Sequence, residues 1–208
     1  MKNLLFMSVM LFTLISYSQM LNKEKNGYTK VINTELSKKQ IYQKLNEWIA
    51  TNYKSAKDVI QLNTEEKIIT KGNFSVTFNV SKYVFIYSIN NSLTFSIREK
   101  KFKIDLIPNS MSYNGSEVGG IEAIRQYFEP FENIDTFTKY SLDAMYKGFL
   151  GMGYSEKKSK KNVKKYSSTI KDNYKDYLNN LPIWNEQIKL TFKSIEDYVN
   201  KKSSDDDW

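Results

Sequence analysis

Apolar and polar positions follow two periods in this chain, and the change between them divides it into elements. Ile41, Leu45, Trp48 and Ile49 recur at helical spacing, with Tyr53 extending the stripe. Ser37 stands three residues before Gln40, the spacing at which a hydroxyl and an amide satisfy each other's first-turn N–H groups. The pattern therefore predicts a helix from Ser37 to Tyr53, preceded by a strand at residues 27–33 (GYTKVIN). Short β runs at residues 59–62 and 67–70 flank a polar turn at 63–66, with Gly72 as a break. Phe74, Val76, Phe78 and Val80 then alternate with Ser75, Thr77, Asn79 and Ser81. Residues 83–89 are rich in β formers, and Asn90-Asn91 reads as a hairpin turn because Asn tolerates positive φ. Leu93, Phe95 and Ile97 alternate with polar residues, as do Phe102, Ile104 and Leu106 beyond a charged turn at 99–101. Such alternation buries one face and wets the other, which predicts an antiparallel sheet covered by helices on one side.

From Gly119 the period lengthens. Ile121, Ile124 and Phe128 predict a short helix ending before Pro130, and residues 134–149 read as helical. Gly148, Gly151 and Gly153 mark a break. Tyr166, Ile170, Tyr174, Tyr177 and Leu181 share one helical stripe that Pro182 should stop. Trp184, Ile188, Phe192, Ile195 and Val199 form the stripe of a last helix, and residues 202–208 form a polar, acidic tail. Single-sided stripes need a partner surface, and the sheet is the nearest one. The fold class expected is α+β: an antiparallel sheet covered on one face by an N-terminal and a C-terminal helix. Residues 118–165 make a helical insertion, and 166–201 the C-terminal helices packing on the sheet.

The first residues follow neither period. Lys2 precedes an uncharged apolar run at residues 4–17, and Ser16 and Ser18 place small side chains where a signal peptidase reads. The run falls short of the roughly 20 apolar residues a spanning helix needs. Residues 1–18 are thus expected to be a signal peptide cleaved between Ser18 and Gln19, with no membrane span remaining afterwards and a periplasmic or extracellular destination.

The 208 residues are 40% hydrophobic and 14% aromatic, enough for one domain with a largely aromatic core. There is no Cys and no His. Disulfides, thiolate metal sites, Ser-His-Asp and Cys-His nucleophiles and zinc-protease motifs are thereby excluded. Carboxylate pairs, Ser-Lys dyads and oxygen-ligated cations stay open. The formal net charge of +8 favours anionic partners in general.

Three stretches together resemble a known family: Tyr28 to Ile32 (YTKVI), Ile41 to Ala50 (IYQKLNEWIA) and Ser55 to Gln61 (SAKDVIQ). They are similar to the exported domain-of-unknown-function family 4468, found in Gram-negative bacteria and described as having a TATA-binding-protein-like fold. The resemblance covers residues 26–114, with a looser match around 184–199. It implies that fold and an exported setting. It brings no activity, and fold by itself carries none.

Six lysines, Lys157, Lys158, Lys160, Lys161, Lys164 and Lys165, offer a candidate polyanion patch, although a solvated helix face or loop is the simpler reading. An anionic envelope polymer or a protein partner suits them better than nucleic acid, since no set of aromatic stacking residues interleaves the run. Ser155-x-x-Lys158 and Ser168-x-x-Lys171 have dyad spacing but lack companion motifs, and such pairs arise by chance in a chain rich in both residues. The Gly148-x-x-Gly151-x-Gly153 run lacks the Lys-Ser/Thr of a phosphate loop. No catalytic, cofactor-binding or metal-binding residue is assigned. The expected function is that of a non-catalytic binding module, with a carboxylate-based enzyme or an assembly component as alternatives.

Overall fold

The computed structural model describes residues 21–22, 27–80, 83–120, 124 and 131–201. Its strands are β1 (Leu21–Asn22), β2 (Gly27–Asn33), β3 (Ile60–Thr64), β4 (Lys67–Val80), β5 (Tyr83–Arg98), β6 (Lys101–Tyr113) and β7 (Ser116–Gly119). The helices are α1 (Lys38–Asn52), α2 (Ala56–Val59), α3 (Ile134–Gly151), α4 (Glu156–Tyr166) and α5 (Ile170–Asn200). The strands form one antiparallel sheet in the order β1-β2-β6-β5-β4-β3, with β7 paired to β6. The expected α+β architecture is therefore the observed one. The leader with Ser18 and Gln19, and the tail at 202–208, lie outside the described residues. Of the short helix expected around Ile121 to Phe128 only Ile124 is described, helical and buried.

The alternation sorts the two faces. Ile68, Val76 and Phe78 of β4, Ile89, Leu93, Phe95 and Ile97 of β5, and Phe102, Ile104 and Leu106 of β6 are buried toward the helices. α1 begins with the expected capping box: the Gln40 N–H donates to Ser37 Oγ (3.4 Å) and the Ser37 N–H to Gln40 Oε1 (2.9 Å). Its stripe Ile41, Leu45, Trp48 and Ile49 is buried, as is the stripe Trp184, Ile188, Phe192, Ile195 and Val199 of α5. Trp48 meets Phe95 edge-on with ring centroids 6.2 Å apart, and Trp184 meets Phe74 at 6.1 Å. The Trp184 indole N–H donates to the Tyr28 hydroxyl, joining α5 to β2. Both helices thus cover the same face of the sheet.

Four expectations are corrected by tertiary context. Gly72 does not interrupt β4; it lies under Tyr53, whose Cε1 would sit 2.4 Å from a Cβ placed there. Asn90-Asn91 is no hairpin turn: β5 runs on through it in unbroken register with β4, and the bulge lies opposite, in β6, where the pairing skips from Ser110 to Pro108 and leaves Asn109 without a register partner in β5. Pro108 has no N–H to donate to the ladder, and an irregularity beside it absorbs that loss. Val59 closes the short helix α2, so the strand begins at Ile60. Pro182 does not end a helix, because it lies inside α5, which runs unbroken from Ile170 to Asn200. Proline removes one backbone hydrogen bond and costs about 3 kcal/mol in a helix interior. Here Tyr177, Asn180, Trp184 and Ile188 are all buried on either side of it, so the packing outweighs that cost. Asn180 also fastens the helix to the sheet: the Asn79 N–H donates to Asn180 Oδ1 (2.9 Å) and Asn180 Nδ2 donates to the Asn79 carbonyl (2.8 Å).

Two long helices, α3 and α4, are described in the insertion. Asn133 caps α3 by accepting from the N–H groups of Asp135 and Thr136 (both 3.0 Å). Phe131 and Phe137 join Tyr174 and Tyr177 of α5 in a ring cluster with centroid distances of 5.1–6.1 Å. Gly153, at φ +81°, turns the chain from α3 into α4.

Candidate functional site

The end of α1, the middle of α5 and the sheet between them enclose a cleft of about 250 Å³. α1 contributes Trp48, Asn52 and, just past its end, Tyr53; α5 contributes Gln187, Thr191 and Ser194. Phe74 of β4 and Asn91 of β5 line the sheet side. Helical spacing explains the helix contributions: Trp48 and Asn52 are four apart, as are Gln187 and Thr191. Gly72 opens the space into which Tyr53 swings, and Tyr53 meets Trp48 edge to face (6.0 Å, 87°).

Local bonds hold these groups in place. Trp48 Nε1 donates to Ser194 Oγ (3.1 Å), tying the two helices together across the cleft. Asn52 Nδ2 donates to the Trp48 carbonyl (2.9 Å), leaving its Oδ1 as an acceptor, and Thr191 Oγ1 donates to the Gln187 carbonyl (3.0 Å). Asn91, 3% exposed, donates to the Ile89 carbonyl (3.3 Å). Burial pushes the Tyr53 hydroxyl above the ordinary tyrosine range, so it stays protonated at neutral pH. The lining is therefore carboxamides and hydroxyls around aromatic rings, with Leu93 and Leu190 beside them. No Asp, Glu, Lys or Arg lines it.

A second, larger cleft of about 660 Å³ lies between the start of α1 and the end of α5, with Glu35, Glu47, Lys44 and Lys201 among its residues. Lys44 Nζ stands 3.8 Å from Glu47, an ion pair along the α1 wall of this cleft. Among the described residues no group of three or more acidic side chains is placed to hold a metal ion.

The six candidate lysines are all exposed on α4. Lys160 pairs with Glu156 (3.6 Å), and Lys158 lies over the Tyr154 ring at 4.1 Å. The hollow between α3 and α4 has Leu142, Tyr146 and Val163 in its wall together with Asp143, Ser167 and two of the six lysines, Lys160 and Lys164. Ser155 is the N-cap of α4, its hydroxyl accepting from the Lys158 N–H (3.4 Å), which is a structural use of the Ser-x-x-Lys spacing. Sequence reasoning missed Asn52, Asn91 and Gln187. They come from three distant elements, and no local signal marks them.

Residues 28–107, from β2 into β6, match the model of the domain of unknown function DUF4468 with TBP-like fold. The resemblance is to DUF4468. This match contains the residues that carry the resemblance in the sequence, and its bounds are slightly narrower than 26–114. The chain is also similar to a crystal structure of a DUF4468 family protein from Bacteroides ovatus, with TM-score 0.42 and 14% identity over 74% of this chain and 85% of that one. A TBP-like protein from Parabacteroides distasonis gives TM-score 0.34 and 14% identity over 43% of this chain. The chain spans 58% of the length of that second protein. No curated protein matches. The DUF4468 match includes Trp48, Asn52, Tyr53, Phe74 and Asn91 of the cleft, whereas Gln187, Thr191 and Ser194 on α5 lie outside it.

Proposed function

We propose that this protein is an exported, non-catalytic binding module whose cleft between α1 and α5 takes a neutral, hydroxyl-rich group such as one sugar ring. The observation that carries this reading is the lining: Trp48, Tyr53 and Phe74 beside Asn52, Asn91, Gln187, Thr191 and Ser194, with no ionisable acid or base in the wall at neutral pH. Aromatic faces cover the apolar face of a ring, while carboxamides both donate to and accept from hydroxyls. The volume lies just below the roughly 300–1,000 Å³ of drug-sized pockets, which fits one ring and not a chain.

Export rests on the charged start, the short apolar run and the Ser16-Tyr17-Ser18 site. Intact mass of the protein recovered from its native envelope or medium should show Gln19 as the first residue. Retention of residues 1–18 would remove the export part of the proposal.

Binding is tested by titrating the protein with a panel of neutral mono- and disaccharides, followed by heteronuclear NMR. Shifts should concentrate at Trp48, Asn52 and Gln187, change little with salt, and vanish in Gln187→Ala and Asn52→Ala. Shifts absent from the cleft across the whole panel, or unaltered in both variants, would rule the reading out.

A further inference from the structure

The sheet face turned away from α1 and α5 carries a concentrated positive charge at one end. Register defines it. Lys67 pairs with Ser96, Ser96 with Lys103, and Lys103 with Val31, so one row crosses four strands. The next row contains Arg98 opposite Lys101. Since Phe95, Ile97 and Phe102 are buried toward the helices, the residues between them point the other way. Val31 in this row is 44% exposed, so the face is open to solvent there. Toward the far end of the same face the β4 and β5 side chains are neutral: Ser75, Thr77 and Asn79 beside Val84, Ile86 and Ser88.

Ser96, Arg98, Lys101 and Lys103 line a hollow of about 320 Å³, with Val31 at its side. Two nearby acids are engaged at the start of α1, and the third, Asp105, neutralises Lys103 and leaves Arg98 and Lys101 as the unpaired cations. Glu99 accepts from the Lys38 N–H at the start of α1 (3.0 Å), and Glu66 pairs with Lys38 Nζ (3.2 Å). Asp105 pairs with Lys103 (3.0 Å) and accepts from the Thr29 hydroxyl (2.6 Å). Arg98 and Lys101 have no ion pair among the described residues. Like charges gathered in one hollow repel each other, and a bound dianion relieves that repulsion. The Arg98 guanidinium fork, the unpaired Lys101 ammonium and the Ser96 hydroxyl supply donors from two adjacent strands, and a phosphate group, with three oxygens able to accept, can engage more of them at once than a carboxylate with two.

We propose that this hollow binds a phosphate group, carried by a compact phosphate monoester. The site is independent of the neutral cleft, which lies on the other side of the sheet. On α4, by contrast, Lys160 pairs with Glu156, Lys158 lies over Tyr154, and the hollow that Lys160 and Lys164 line also holds Asp143 with Leu142, Tyr146 and Val163.

The test is titration with glycerol 3-phosphate, inorganic phosphate and glycerol, at low and at physiological salt, followed by heteronuclear NMR. Both phosphate compounds should bind saturably with shifts at Ser96, Arg98 and Lys101, weaken as salt rises, and leave glycerol without effect. Tighter binding of the ester identifies an ester as the ligand form; equal binding identifies free phosphate as sufficient, and overturns the monoester part of the proposal. Arg98→Gln and Lys101→Gln, both at exposed positions, should each weaken binding about tenfold, the scale of one charge-assisted contact. A quadruple Lys→Gln variant of α4 should leave it unchanged. Absence of saturable binding, or binding that survives Arg98→Gln and disappears in the α4 variant, would overturn the proposal.

Discussion

At the scale of single residues, several side chains are understood only through what faces them. Gly72 sits in a strand, where glycine ordinarily weakens the ladder, because Tyr53 occupies the place of a Cβ. Gly72→Ala should destabilise the protein by about 1–3 kcal/mol, the usual range for overpacking. Most of that cost should disappear in a Tyr53→Ala background, which a double-mutant cycle from urea melts would read directly. If the cost is the same in both backgrounds, the contact is not its cause. The buried tyrosines set an alkaline limit. Burial raises Tyr28, Tyr53 and Tyr177 above the ordinary value near 10. The unfolded chain therefore releases these protons at a lower pH than the folded one. Stability contributed in this way is complete below about pH 10 and is lost as pH rises through the folded values. The thermal midpoint should fall above about pH 10, and less steeply in Tyr53→Phe than in the parent. A parallel decline would show that Tyr53 takes no part.

At the scale of elements, caps and stripes decide what forms, and packing decides where it stops. α4 is capped by Ser155 and lysine-rich around most of its surface, with Ser159 as its buried residue. Replacing Lys157, Lys161, Lys164 and Lys165 with Gln should change stability by no more than about 0.5 kcal/mol, as for other exposed positions. A larger loss in a denaturant melt would mean that these side chains do more than meet water. The long β4–β5 pair runs without a register shift from Lys67 opposite Ser96 to Val80 opposite Tyr83, and the bulge at Asn109 of β6 lies opposite Asn90 and Asn91. Bulges bend and twist a strand, so this one shapes the sheet beside the cleft that Asn91 lines.

At the scale of the whole molecule, α5 joins the parts. It packs on β4, β2 and α1 along one half and on α3 through Tyr174 and Tyr177 along the other. Trp184 is fully buried at its centre, bonded to Tyr28 and packed on Phe74. Trp184→Ala should cost about 3–5 kcal/mol, a large share of the roughly 5–15 kcal/mol typical of a domain. Ending the chain after Leu181 should abolish cooperative unfolding altogether, since it uncovers the sheet. A truncated protein whose melt overlays that of the full chain would show α5 to be a detachable arm. The same helix lines the neutral cleft and leaves the cationic hollow untouched, so the two proposed sites should respond separately to mutation.

The parts legible in the sequence are those governed by neighbours along the chain. Ser37 and Gln40, the stripe from Ile41 to Ile49 and the alternation from Leu93 to Leu106 state their structure within a few residues, because capping and periodicity are local. Asn114 and Gly115, both at positive φ, form the β6–β7 turn and are a local signal of the same kind, one that the hydrophobic pattern does not include. Gly72, Asn90-Asn91 and Pro182 read wrongly for the opposite reason. Each carries a local breaker signal, and each is overruled by a contact more distant in sequence: Tyr53, Pro108 and the sheet beneath α5. The two candidate sites follow the same division. Composition already excluded Cys and His chemistry and showed the positive excess. That Asn52, Asn91 and Gln187 meet in one cleft depended on how helices dock on a sheet. That Arg98, Lys101 and Lys103 gather in one hollow depended on strand register, which side-chain alternation alone leaves open, because residues on one face still have to be aligned across strands.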